Sequence, residues 1–293
     1  MSRRKLTGNE IEIIVEDKGA ELISLKCTST GKEYMWNADP QYWGKTSPIL
    51  FPFVGGLRNN QYRYKGRTYT MSKHGFARDM EFKMISQTDS QLWFELVSDE
   101  ETLEKYPFSF RLRQGYKIEG RTVKVCWQVY NDSRETMYFS LGGHPAFFCP
   151  PDSISKQTDC YLTFDTQQDE IISTQITPEG LAGPVKTTFP LVDGKLQFSE
   201  HLFDDDALVI EGNQAKGVDL ADKNGESYLR VKFDAPLFGI WSPAKIQAPF
   251  VCIEPWYGRC DAQEFNGSVE DREWGNHLEP DEVFEAGYEV ILL

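Results

Sequence analysis

Hydrophobic and polar residues alternate along many short segments of this chain. Examples are residues 11–15 (IEIIV), 92–96 (LWFEL), 122–129 (TVKVCWQV) and 228–233 (YLRVKF), which are rich in β-branched and aromatic side chains. A period of two places alternate side chains on opposite faces of an extended segment. The pattern therefore predicts half-buried antiparallel strands.

Turn residues separate these segments. The sequences VDGK at 192–195 and KNGE at 223–226 predict hairpins, because Asp, Asn and Gly tolerate positive φ angles. Helical periodicity is nearly absent, and the best candidate is a short helix over residues 99–106, before Pro107. We therefore expect an all-β fold, a large antiparallel β-sandwich with few short helices.

Two irregular stretches interrupt the strand pattern, one at residues 150–157 and one at 177–184. Either is a candidate domain boundary. The residues suited to proton transfer, introduced below, lie on both sides of the first stretch and must meet if they share a site. We therefore expect a single domain over residues 1–293, with long loops.

Composition limits the classes of partner. The chain has 31 basic and 45 acidic residues and a formal charge of −14, which disfavours nucleic acid and anionic membrane surfaces. It has no uncharged apolar run near the roughly 20 residues of a membrane span. The basic start at 1–6 runs into polar residues rather than an apolar stretch, unlike a signal peptide. We expect a soluble, cytoplasmic protein with a small-molecule ligand, a monomer or weak homodimer.

The six cysteines are scattered through a chain of a size that does not need covalent cross-links, so we expect reduced thiols. Cys252 and Cys260 are the closest pair, but seven residues separate them and no His is nearby. This spacing matches no familiar zinc motif, so we predict no metal site there.

His144 is the first candidate for chemistry. It follows Gly142 and Gly143, which permit close backbone approach, and precedes Pro145, which favours an extended conformation at His144. An aimed imidazole can exchange protons near neutral pH. The alternative is a structural histidine at a strand end.

Glu254 is the second candidate, since it follows the apolar run 250–253, where an unpaired carboxylate is costly. Burial would raise its pKa, as suits a general base. Trp256 and Tyr257 offer aromatic faces to the apolar side of a pyranose. The alternative is a glutamate that caps a strand end at Pro255.

His74 is a further candidate, and three other residues, Arg78, Arg58 and Asp206, are open to two interpretations. His74 and Arg78 lie around Gly75, and Arg78 either holds a hydroxyl or phosphate or pairs with the adjacent acidic residue. Arg58 follows two glycines and either contacts substrate oxygens or is a solvated loop residue. Asp206 ends an acidic run before a buried-strand pattern and could point toward a sugar hydroxyl, although Asp205 fits almost as well.

Taken in order, several motifs resemble the aldose 1-epimerase (mutarotase) family, and more narrowly its LacX-like members. The similarity covers nearly the whole chain, and its motifs are GAEL at 19–22, EYMW at 33–36, SPILFP at 47–52, HGFARD at 74–79, GGHPAFF at 142–148, IWSP at 240–243 and CIEPWYG at 252–258. The resemblance implies a galactose mutarotase-like β-sandwich with the sugar in a cleft on one concave sheet. It implies no external cofactor.

The resemblance also implies roles for individual residues. Glu254 would remove the proton from the anomeric hydroxyl, His144 would protonate the ring oxygen, and His74 would assist there. Rotation about the C1–C2 bond and ring closure then give the other anomer. Arg58 and Asp206 resemble the family's substrate-binding residues, whereas a related branch uses arginines to hold a sugar 6-phosphate.

The leading hypothesis is therefore an isomerase that interconverts the anomers of a hexose. The alternatives are a hexose-6-phosphate 1-epimerase, with Arg58 and Arg78 on the phosphate, and a non-catalytic carbohydrate-binding or sensing protein. The hypothesis requires His144 and Glu254 to converge, and we expect them to face each other across a gap the width of a pyranose.

Overall fold

The fold is built almost entirely from short strands. A computed structural model describes residues 2–152 and 154–293; Met1, the first residue of the predicted basic start, and Ser153, in the first irregular stretch, lie outside the described residues. The strands, in chain order, are β1 (Arg3–Thr7), β2 (Ile11–Glu16), β3 (Leu22–Cys27), β4 (Ile49–Leu50), β5 (Gln61–Tyr64), β6 (Arg67–Thr70), β7 (Lys83–Gln87), β8 (Gln91–Val97), β9 (Phe110–Glu119), β10 (Thr122–Asn131), β11 (Met137–Phe139), β12 (Leu141–Gly143), β13 (Ala146–Phe148), β14 (Tyr161–Phe164), β15 (Glu170–Ile176), β16 (Ala182–Pro190), β17 (Lys195–Gln197), β18 (Leu208–Glu211), β19 (Gly217–Ala221), β20 (Ser227–Phe233), β21 (Leu237–Trp241), β22 (Phe250–Tyr257), β23 (Asn276–Leu278) and β24 (Val283–Leu292).

Helices are few and short. The α-helix α1 covers Glu100–Lys105, and Asp99 caps it by accepting a hydrogen bond from the Thr102 backbone N–H at 2.8 Å. This is the helix expected over 99–106. The 3-10 turns are Arg58–Asn60, Ala77–Asp79, Gln157–Asp159 and Val269–Asp271. The all-β prediction is confirmed.

The four alternating segments all form strands, within β2, β8, β10 and β20. The turn at 223–226 joins β19 to β20, which pair as the predicted hairpin. The turn at 192–195 also forms, with positive φ angles at Asp193 and Gly194. Val192 and Lys195 pair across it with two backbone hydrogen bonds of 3.0 Å, as in a two-residue hairpin. The hairpin does not extend beyond this pair, because the flanking strands β16 and β17 enter different sheets. Turn residues determine the local reversal, but sheet packing determines the partner.

Two large sheets form the sandwich. The nine-stranded sheet has the order β17-β14-β19-β20-β24-β10-β9-β8-β7. The second sheet, here called the site sheet, has the order β16-β15-β18-β21-β22-β12-β4, with β13 also paired to β22. Phe233 of the first sheet packs on Phe238 of the second with ring centroids 5.0 Å apart. The core therefore lies between the two sheets.

Alternation along β22 separates two faces of the site sheet. Val251 and Ile253 join the core between the sheets, whereas Cys252, Glu254 and Trp256 lie on the opposite face. All five are buried, because loops cover this outer face as well. The Glu254 carboxyl is thus buried on the outer face. That Glu254 shares a face with Trp256 follows from the period of two.

The prediction of one domain over 1–293 stays a prediction. The second irregular stretch includes a turn between β15 and β16, in which the Gly180 N–H donates to the Thr177 carbonyl at 2.8 Å. Among the described residues, no helix is long and apolar enough to cross a membrane.

Candidate active site

A cavity of about 450 Å³ opens on the outer face of the site sheet. This volume is in the range of small-ligand sites. Six of the seven residues predicted from the sequence line it: His74, Arg78, His144, Asp206, Glu254 and Trp256.

His144 and Glu254 meet directly in this cavity. The His144 Nε2 atom lies 3.3 Å from the Glu254 Oε2 atom, without the alignment of a hydrogen bond. The expected pyranose-wide gap between them is therefore wrong. Both side chains nevertheless point into one cavity. Adjacency is compatible with the reaction that the resemblance implies, because the anomeric hydroxyl and the ring oxygen are bonded to the same carbon.

Glycines allow His144 to reach this position. A Cβ atom on Gly142 would lie 2.7 Å from the Trp256 ring, and one on Gly143 would lie 3.1 Å from Tyr288. The His144 backbone N–H donates to the Pro48 carbonyl at 3.0 Å. The predicted close backbone approach at the two glycines is confirmed, and it fixes the histidine at the end of β12.

Burial shifts both members of the pair toward their neutral forms. Desolvation lowers the pKa of His144 to about 3, and Lys73 and Arg78 add to this by repulsion. Desolvation raises the pKa of Glu254 well above its usual value, with a smaller opposing attraction from Lys73. At pH values between these two pKa values the groups hold one transferable proton between them, and they titrate as a pair.

His74 is fixed by a reciprocal contact with Gly55. The Gly55 backbone N–H donates to His74 Nδ1 at 3.1 Å, and the His74 N–H donates to the Gly55 carbonyl at 2.9 Å. Because Nδ1 accepts, the ring proton lies on Nε2. Burial, with repulsion from His144, also holds the pKa of His74 well below its usual value. His74 is thus a neutral hydrogen-bond donor.

Trp256 forms part of the cavity wall but is only 6% exposed. Its indole lies over Gly239, where an added Cβ would come within 2.5 Å of the ring. Little ring face is left for a sugar. The Trp256 Nε1–H is beside the Glu254 carboxyl but completes no hydrogen bond among the described residues, so this ring offers a donor rather than the predicted stacking surface. Tyr257 points to the other side, where it packs on Phe284.

Aromatic faces come instead from two tryptophans that the sequence analysis gave no role. Trp43 stacks on His144 with ring centroids 4.7 Å apart, and Trp241 meets the same imidazole edge-on at 5.6 Å. Both are half-buried and line the cavity. Trp241 lies in the IWSP motif, but Trp43 lies in a loop whose position the strand pattern does not reveal.

Charged residues form one side of the cavity. Lys73 Nζ lies 3.7 Å from Asp206 Oδ2. Asp205 instead accepts a hydrogen bond from Gln175 and is exposed, so Asp206 is the one that lines the cavity. Arg78 donates to the Lys73 carbonyl at 3.1 Å. Its Nε makes no hydrogen bond within the described residues but lies 3.7 Å from Asp79 Oδ2, so the ion pair with the adjacent acidic residue is present.

Arg58 does not line this cavity, so the predicted substrate contact is not met. Its backbone N–H donates to Asp261 at 2.9 Å, and its guanidinium donates to the Phe265 carbonyl at 3.0 Å. The side chain instead lines a separate cavity with Glu179 and Glu264. The glycine-rich turn places Gly55, not Arg58, beside the site.

Glu21 is a positioning residue that the sequence analysis missed. Its buried Oε1 accepts hydrogen bonds from the Thr46 and Ser47 backbone N–H groups at 2.7 and 2.8 Å. Thr46 in turn accepts from the Ala146 N–H, two residues after His144. The sequence did contain a signal for this role, because Glu21 in the GAEL motif is an acidic residue directly before the start of an apolar strand.

We expect Glu21→Ala to lower the free energy of unfolding by about 2–4 kcal/mol, because two buried N–H groups lose their acceptor. The segment at Thr46 and Ser47 would then shift, and with it the contact to Ala146 near His144. We expect this shift to lower any catalysed rate by roughly tenfold. Glu21→Gln keeps the acceptor oxygen and should stay near wild type in denaturant unfolding. Equal losses in both variants would contradict the positioning role.

Comparison with known proteins shows the family of this chain. The aldose 1-epimerase family matches residues 5–289. The chromosomal protein LacX of Lactococcus lactis subsp. lactis is 31% identical over 283 residues, which cover 94% of each chain. The X-ray structure of a galactose mutarotase related enzyme from Lactobacillus acidophilus superposes with a TM-score of 0.94 at 35% identity, covering 100% of this chain and 97% of that one. A galactose mutarotase-like protein from Lactobacillus casei gives 0.93 at 28% identity over 100% of both chains. The chain therefore belongs to the aldose 1-epimerase family.

Proposed function

We propose that the protein is an aldose 1-epimerase that interconverts the α and β anomers of a hexose by general acid/base catalysis. The observation that carries the proposal is the 3.3 Å approach of His144 Nε2 to Glu254 Oε2 within the cavity. Neither this carboxylate oxygen nor His144 Nδ1 has a hydrogen-bond partner in the described part of the chain. A buried, unpartnered pair of this kind suits a bound hydroxyl group.

Ring opening uses the pair in its charged form, with the proton on His144 and Glu254 ionised. The carboxylate takes the proton of the anomeric hydroxyl while the imidazolium gives its proton to the ring oxygen, so the C1–O5 bond breaks. The pair ends neutral, which is the state that burial favours. Ring closure after rotation about C1–C2 reverses both transfers and restores the charges.

The surrounding residues bind and orient the sugar in this proposal. His74 donates from Nε2 to the ring oxygen region, and Asp206 accepts from a hydroxyl group. Trp43 and Trp241 supply apolar faces for one side of the ring. Because free sugars already mutarotate in water, positioned acid and base groups that each contribute on the order of 10²- to 10⁴-fold suffice for catalysis.

Polarimetry of freshly dissolved α-glucose and α-galactose tests the proposal. We expect the wild-type protein to exceed the buffer rate. A rate equal to that of buffer on every common hexose and hexose 6-phosphate would contradict it. Sugar binding by calorimetry without anomer exchange would instead favour the non-catalytic carbohydrate-binding alternative.

A hexose 6-phosphate is the second candidate substrate. Arg78 favours it, because this cation lines the cavity together with Lys73, and its Nε, 3.7 Å from Asp79 Oδ2, makes no hydrogen bond among the described residues. The contribution proposed earlier for Arg58 is dropped. If the phosphate is required, the 6-phosphate should be the faster substrate, and Arg78→Ala should abolish that preference. A preference that survives Arg78→Ala would exclude this role of Arg78.

Asp206 should contribute to sugar binding. A hydrogen bond to a charged group contributes about 1.5–3 kcal/mol, so we expect Asp206→Asn to raise KM by on the order of tenfold or more. Asp205→Asn is the matched control, since Asp205 faces Gln175 outside the cavity. Steady-state polarimetry gives both KM values. A larger effect at position 205 would contradict the assignment.

The pH profile should show the paired titration. The transferable proton is present below the raised pKa of Glu254, and a second proton binds only near the lowered pKa of His144, about 3. We therefore expect a constant catalysed rate on the acid side down to that value. The rate should fall as pH rises through the pKa of Glu254. A rate that falls as pH drops through about 6.5, the ordinary pKa of histidine, would contradict this account.

A further inference from the structure

Cys252 lies beside the acid/base pair, although the proposed reaction does not use a thiol. It stands two residues before Glu254 on β22, so both side chains are on the outer face. One ligand atom each from His144, Cys252 and Glu254 lies within 4.8 Å of the others. All three residues are buried, at 8%, 0% and 1% exposure.

We propose that these three side chains form a binding site for zinc or a similar divalent transition-metal ion, which inhibits the protein. Zinc bonds of about 2.0–2.3 Å to N, O and S separate the ligand atoms by roughly 3.3–3.8 Å. The His144–Glu254 separation of 3.3 Å already fits this range. The thiol has to approach by about 1 Å. Water can reach the fourth position from the cavity, which His144 and Glu254 line and Cys252 does not.

Charge and ligand type favour this class of ion. One thiolate, one carboxylate and one neutral imidazole neutralise a divalent cation, so the complex carries no net charge in a buried place. Imidazole and thiolate select zinc, cobalt or copper over magnesium and calcium. The Glu254 Oε2 atom has no hydrogen-bond partner among the described residues, so it is free to act as a metal ligand. The expectation of no metal site considered only the Cys252 and Cys260 spacing, whereas this group joins β22 to the residue after β12.

Cobalt(II) binding tests the site directly, because a cobalt–thiolate bond adds a charge-transfer absorption in the near ultraviolet. We expect the band in the wild-type protein and in Cys260→Ser, because Cys260 lines the cavity but is not one of these three residues. Cys252→Ser and Cys252→Ala should lack the band and bind cobalt on the order of 100-fold more weakly. A band that persists in both Cys252 variants, or no band in the wild type, would overturn the proposal.

The inhibitory consequence rests on the proposed function, whereas the cobalt titration does not. Zinc should stop anomer exchange in the wild type and in Cys260→Ser, and the metal-free Cys252 variants should keep the wild-type rate and resist zinc. Equal zinc sensitivity in all variants would overturn the assignment of this site. If metal-free wild-type protein exchanges anomers no faster than buffer, only the proposed function is contradicted, because the cobalt band reports metal binding without catalysis.

Discussion

Replacing Glu254 by glutamine is expected to lower the catalysed rate of anomer exchange by on the order of 10²- to 10⁴-fold. Glutamine keeps the shape of the side chain and can still pack in the buried site, but it cannot take a proton from the anomeric hydroxyl. The effect should appear in kcat, because the lost interaction forms as the proton moves. Polarimetry at saturating hexose measures it.

Two controls make this result specific. Glu179→Gln changes an exposed carboxyl at the neighbouring cavity and should leave the rate unchanged. Denaturant unfolding of Glu254→Gln should show that the variant is at least as stable as wild type, since it buries no group that favours ionisation in water. A Glu254→Gln protein that is folded and fully active would remove Glu254 from the mechanism.

Replacing Arg272 by methionine is expected to lower the free energy of unfolding by about 3–5 kcal/mol. Arg272 Nε donates to Asp261 Oδ1 at 2.7 Å, and both side chains are 3% exposed. The same guanidinium donates to the Arg259 carbonyl at 2.8 Å and lies over the Phe53 ring. Removing the guanidinium leaves the buried Asp261 carboxylate with too few hydrogen-bond donors. Urea unfolding followed by tryptophan fluorescence measures the loss.

The double variant Arg272→Met, Asp261→Asn should recover part of this loss, because a neutral amide leaves no unpaired buried charge. Glu101→Ala removes the exposed i,i+4 pair with Lys105 and should change stability by less than about 0.5 kcal/mol. If Arg272→Met were as mild as Glu101→Ala, the buried ion pair would not be a main support of the segment beside the cavity.

The fold was open to prediction because alternation and turn residues act locally. Residues 122–129 alternate so regularly that they could only form a half-buried strand, and they lie within β10. Local residues do not determine which strands pair within each sheet of the sandwich. The turn at 192–195 has the residues of a hairpin, yet β16 and β17 leave it for different sheets.

Part of the site was predictable for the same reason. Glu254 was recognisable as a carboxyl among apolar residues, and His144 by its glycine neighbours. The sequence contains no comparable signal for how the loops pack around the site. Trp43 covers His144 from a loop, and the guanidinium of Arg58 turns to the Phe265 carbonyl instead of the cavity. The direct contact of His144 with Glu254 depends on the pairing of β12 with β22, which the sequence does not specify.

The central claim is that His144 and Glu254 act as one proton-exchanging unit. Two-dimensional NMR exchange spectroscopy between the α and β anomers of a hexose tests it, with wild type, Glu254→Gln, His144→Asn and the double variant. The account predicts that wild type exceeds buffer and that the double variant is no slower than the slower single variant, because either loss alone already breaks the exchange. Losses that multiply in the double variant, or a wild-type rate equal to that of buffer, would contradict it.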